Sequence, residues 1–134
     1  MQLEAQDYLK LVENANKLAF VDIEATGLRA DYGSALVVSI KPYQSKPFSF
    51  TVVQPGNDQR VVREAKEALE GFDCWVTFYG KGFDVPFLNT RLLKWRSRPI
   101  DKRHHVDLYF TLKYNLLTAR KSQAHLLRFL ETPE

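Results

Sequence analysis

The chain has 134 residues and a net charge of +3. That is enough for one domain with its own core, and its basic pI suits a polyanionic partner without requiring one. With 45% hydrophobic and 26% charged residues, global disorder is excluded. Cys74 is the only cysteine, which excludes an intramolecular disulfide and points to a reducing, cytoplasmic setting. No apolar run reaches the length of a membrane span, and charged residues stand where a signal peptide would be greasy.

In chain order, residues 3–15 carry Tyr8, Leu11, Val12 and Ala15 at helical spacing. Leu18 to Glu24 reads as a strand buried on both faces, the pattern of a central strand in a largely parallel sheet. Gly27 supplies a sharp exit and 29–33 is a polar turn. The β-branched and aromatic runs 34–41 and 47–53 read as two further strands joined by a short connection, hence an antiparallel meander. The breaker cluster 55–58 precedes a helix with Val61, Val62, Ala65, Ala68 and Leu69 on one face, closed by Gly71. A strand over 73–79, a helix over 84–97, a strand over 104–108 and helices over 109–117 and 122–130 follow. The order βββαβαβα predicts an α/β domain with a five-stranded mixed sheet and helices on both faces.

Two stretches carry chemistry. Side chains alternate along a strand, so Asp22 and Glu24 share a face, roughly 7 Å apart at the backbone. Anions held that close raise one another's pKa unless a cation sits between them, and hard divalent ions prefer carboxylate oxygens. The pair is half of a metal site, or else a solvated pair at a strand end. The second stretch is the junction Tyr79-Gly80-Lys81-Gly82-Phe83-Asp84, where two glycines allow a tight strand-to-helix turn. Asp84 falls at the helix start, as a third acid of the site or simply as an N-cap.

Together the two stretches resemble the DEDD superfamily of 3′-5′ exonucleases on the ribonuclease H-like fold. Asp22-Ile23-Glu24-Ala25-Thr26-Gly27-Leu28 resembles its first motif, and Gly80 to Leu88 its second. His105-Val106-Asp107-Leu108 resembles its next, structural strand. The resemblance implies two divalent metal ions, Mg²⁺ or Mn²⁺, about 4 Å apart, acting on a phosphodiester. It implies that Asp22 bridges both ions, that Glu24 binds one and positions the attacking water, and that Asp84 supports the other. It also implies that Thr26, Gly27, Leu28 and Phe83 hold the terminal nucleotide of single-stranded DNA or RNA. Phe83 or Tyr79 would stack on a base, or Phe83 would simply pack in the core.

The chain departs from that family late. No aspartate follows Asp107, so the fourth carboxylate and the Tyr or His preceding it are missing. The expectation is one ribonuclease H-like exonuclease domain over 1–134 that lacks the last catalytic helix. The alternative is a non-catalytic nucleic-acid-binding module on the same fold, and a third reading is a ribonuclease cutting internally. Arg91, Lys94, Arg96, Arg98, Lys102 and Arg103 form a basic run that follows a phosphate backbone beside the site or is a solvated helix face.

Overall fold

Residues 17–131 are described in a computed structural model, and the helix expected over 3–15 lies outside them. The elements are β1 (Leu18–Ala25), β2 (Ala35–Pro42), β3 (Phe48–Thr51), α1 (Gln59–Glu70), β4 (Cys74–Thr77), α2 (Asp84–Lys94), β5 (His104–Asp107), α3 (Leu108–Asn115) and α4 (Gln123–Leu130). They build one five-stranded sheet in the order β3-β2-β1-β4-β5. The meander β1-β2-β3 is antiparallel, and β4 and β5 continue parallel to β1. This is the mixed sheet that the order of elements predicts.

The core forms where the apolar faces of α1 and α2 meet one face of the sheet. Val61, Val62, Ala65 and Leu69 of α1 and Phe87, Leu88 and Leu92 of α2 are buried with Ala19, Val21, Val38 and Ile40. The periodicity of 3.6 in the helices and of 2 in the strands makes those sets coincide.

Burial in β1 differs from the expectation. Ala19, Val21 and Ile23 are buried, but Phe20, Asp22 and Glu24 are exposed. The strand is central, yet only one of its faces is covered, because α1 and α2 lie on the same side. The opposite face opens as a cleft of about 250 Å³ lined by Phe20, Asp22, Lys41, Phe78, Leu108 and Gln123. The starts of α3 and α4 border this cleft, and α4 buries none of its side chains. Among the described residues no helix is long and apolar enough to cross a membrane.

A buried ion pair ties the covered side together. Asp58 is fully buried and takes Arg91 Nε at 2.8 Å and its terminal nitrogen at 3.0 Å. The same carboxylate accepts from the Ala35 amide and from Trp95 Nε1. The other guanidinium nitrogen of Arg91 donates to the Ala30 carbonyl. One acid and one base thus fix the start of β2, the end of α2 and the loop between β1 and β2. The basic run is thereby broken up. Arg91 is buried, and Arg103 donates to the Glu70 and Phe72 carbonyls at the end of α1. Of the remaining cations, Lys94 lies in the last turn of α2, a helix roughly 16 Å long with Asp84 at its start, and Arg96, Arg98 and Lys102 follow it in the link to β5. Among the described residues none of them forms an ion pair with Asp22, Glu24 or Asp84.

Candidate functional site

β1 outruns its parallel neighbour. Pairing with β4 covers Leu18 to Phe20 against Cys74 to Val76, and β4 ends at Thr77. Asp22 and Glu24 stand past that end, where the chain has built β2 and β3 on one side of β1 and crosses to build β4 and β5 on the other. Ligands of open α/β sheets sit at such switch points. Across the antiparallel side Asp22 pairs with Ser39 and Glu24 with Val37, and the register then slips between Glu24 and Ala25. The irregularity falls immediately after the second acid, as bulges beside functional sites do, and Ala25 then pairs with Ala35.

Asp84 fills the gap that β4 leaves. It is the first residue of α2, 3% exposed, and its Oδ2 accepts from the Ile23 amide at 3.0 Å. Ile23 stands between Asp22 and Glu24, so this bond across 61 positions brings the third acid to the same end of β1. The simple N-cap alternative does not hold, because Phe83 occupies the cap position and no side chain caps the helix.

Charge is concentrated here without relief. Asp84 is pushed up to about 7, first by burial, then by the Asp22 charge, with a smaller push from Asp107. Asp22 is raised too, by partial burial and then by Glu24. Among the described residues the ion pairs are Arg60–Glu64, Lys66–Glu70 and Arg91–Asp58, so none of the three acids has a cation. Asp58 shows the contrast. Burial would raise it, but the hydrogen bonds from Arg91, Ala35 and Trp95 win and hold it below the usual carboxylate range. A structural acid in this protein is neutralised, and the acids at the end of β1 are not.

The turn into α2 is over-determined. Tyr79 has φ 63°, a left-handed conformation that costs a bulky residue energy. Asp107 holds it there by accepting from the Tyr79 amide at 2.7 Å and the Lys81 amide at 3.0 Å, while also capping α3 through the Tyr109 amide. The end of the Tyr79 ring packs over Gly82, where a Cβ would lie 2.5 Å from it, so a larger residue there would turn the ring aside. Asp107 is the positioning residue that sequence reasoning did not assign. Its signal was an aspartate closing a strand immediately before a helix, a favoured N-cap.

The other expected residues are placed as follows. Thr26 Oγ1 accepts from the Ser34 amide and Thr26 N donates to the Ser34 carbonyl, so its side chain closes the loop. Gly27 does not make the exit by a left-handed turn, and a Cβ there would meet nothing within 4 Å. Leu28 is 82% exposed and shares with Phe83 a second cleft, of about 320 Å³, between the 28–31 loop and the start of α2. Tyr79 lies apart from that cleft, against Tyr109 and Phe110.

The donor set of unpaired carboxylates suits a hard divalent ion, which typically uses one or two such groups. Among the described residues no three acid, imidazole or thiol groups converge on one point. Asp22 and Glu24 form the carboxylate pair on one face of β1, with Asp84 adjoining Asp22.

Comparison with known proteins agrees on the fold. The family model described as RNase_H superfamily matches residues 19–129. Among solved structures, the family B DNA polymerase from the hyperthermophilic archaeon Pyrobaculum calidifontis is similar, with a TM-score of 0.62 and 18% identity. That likeness covers 74% of this chain and 16% of the polymerase, so the chain spans about a sixth of that protein. No curated protein matches. The switch-point sheet, the acids at the end of its central strand and a family match over most of the chain lead to one conclusion: the protein belongs to the RNase_H superfamily.

Proposed function

We propose that the domain is a metal-dependent 3′-5′ exonuclease of the DEDD type, hydrolysing phosphodiester bonds at single-stranded DNA or RNA ends. The observation that carries this reading is the pair Asp22 and Glu24 at the end of β1 with Asp84 adjoining Asp22, none of them ion-paired among the described residues. Asp22 and Glu24 would hold Mg²⁺ or Mn²⁺, with Asp84 supporting a second ion. Such ions supply an activated water and counter-charge for the phosphoryl oxygens. The protein's own part is to aim them. The Ile23 amide fixes Asp84, and Asp107 fixes the turn that precedes it. Leu28 and Phe83, which line one cleft, would hold the terminal nucleotide, with the open space over Gly27 admitting its backbone.

After Asp107 the sequence includes Glu131 and Glu134 but no aspartate to match the fourth carboxylate of the DEDD family. The general base that accompanies it in the DEDD family, worth ~10²–10⁴-fold, is missing as well. The second reading is a binding module without catalysis on the same fold. Digestion of a 5′-labelled single strand, as DNA and as RNA, separates the two. A slow ladder shortening from the 3′ end, dependent on Mg²⁺ or Mn²⁺ and absent in Asp22→Ala, is the expected result. An intact strand that still binds in EDTA would give the binding module precedence.

A further inference from the structure

We infer that a single strand of nucleic acid continues out of the proposed cleft over an aromatic surface formed by Tyr79 and α3, with Tyr114 as its outer stacking platform. The inference rests on the reading that the cleft takes a strand end, but the surface lies outside that cleft and binds by different chemistry.

The rings form a connected row. Tyr79 lies 4.7 Å from Tyr109 and 6.0 Å from Phe110, and Phe110 lies 6.2 Å from Tyr114 with their planes only 15° apart. Both ends of the row face solvent, Tyr79 at 44% and Tyr114 at 72% exposure. Core packing does not account for this. Tyr79 takes a strained backbone conformation, and both Asp107 carboxylate oxygens are committed to keeping it, yet its ring is not buried in return. Strain maintained without burial belongs with sites that meet a ligand.

Charge identifies the ligand. From Leu108 to Leu130 the chain carries Lys113, Arg120, Lys121 and Arg128, and no aspartate or glutamate. Lys113 Nζ stands 5.4 Å from the centre of the Tyr114 ring. Rings for bases and cations for phosphates together fit a polyanion with free aromatic faces, which is a single strand. A duplex keeps its base faces against one another and could use only the cations.

The test is fluorescence anisotropy with the whole chain in EDTA, using labelled oligothymidylate, oligouridylate and a DNA duplex of the same length. Tyr114→Ala is expected to weaken both single strands ~5- to 100-fold, the loss of one stacked base, and to leave the duplex unchanged. Tyr114→Phe should stay within about twofold of the parent, since the ring is kept. Lys113→Gln should lower the slope of log K against log salt by about one. Tyr114 is too exposed for its loss to unfold the domain. Wild-type binding by Tyr114→Ala overturns the inference, as does equal weakening on the duplex. So does a wild-type dimer that Tyr114→Ala splits in sedimentation, which would assign the surface to a second copy. A chain that binds through Tyr114 and never cleaves overturns the exonuclease reading alone. A chain that cleaves while Tyr114→Ala binds normally overturns this surface alone.

Discussion

Arg91→Ala is expected to cost ~3–5 kcal/mol of folding stability, the effect of removing one partner of a buried ion pair. The loss exceeds that of the ion pair itself. Asp58 is fully buried and would keep its charge with only the Ala35 amide and Trp95 Nε1 as donors. The Ala30 carbonyl would lose its guanidinium donor at the same time. Arg91→Lys should rescue little, since an ammonium cannot place three nitrogens on Asp58 and Ala30 at once. Asp58→Asn combined with Arg91→Met should recover much of the loss, because no lone charge is then buried. The pair also sets an acid limit. Asp58 is held below its unfolded value of 3.8, so its contribution is present above that pH. It is lost as pH falls through the lower, folded value. Urea titration at neutral pH measures the effect, and a cost under ~1 kcal/mol for Arg91→Ala would show that the pair is dispensable.

That pair also shows what the sequence could and could not convey. The order of strands and helices was legible because each segment has one dominant period, and the ends of most elements fall within a few residues of expectation. Asp22 and Glu24 on one face followed from strand geometry alone. Three things did not follow. The apolar run of β1 suggested two covered faces, but whether a helix covers a sheet face depends on which side the crossovers take, and local pattern does not encode this. The basic run read as one feature because its members are adjacent in sequence, whereas folding sends Arg91 to Asp58, 33 positions away, and Arg103 to the end of α1. Asp84 taken alone read more readily as a cap, since its partner is a backbone amide in β1 that carries no residue-specific signal. Long-range partners of polar side chains were the illegible part.

Asp84→Asn is the sharpest test of the remaining proposal, because it should improve folding while removing the function. The folded protein holds Asp84 near 7, against an unfolded value of 3.8. Between those values the folded state keeps a proton that the unfolded state has released. The stabilising contribution of the protonated acid is therefore complete below about pH 4 and is lost as pH rises toward 7. Above that, a charge sits buried beside Asp22 at a cost of up to ~4 kcal/mol. Asparagine cannot ionise, and its amide oxygen can still accept from the Ile23 amide. In metal-free buffer the variant should match the wild type near pH 4 and melt several degrees higher near pH 8. Mn²⁺ should then narrow the gap by stabilising the wild type, since a bound cation supplies the counter-charge that the site lacks. The variant should gain less from Mn²⁺ and should lose cleavage. A variant less stable than the wild type at pH 8 would mean that Asp84 is already neutralised within the protein. The three acids would then be a structural cluster with no need of a metal.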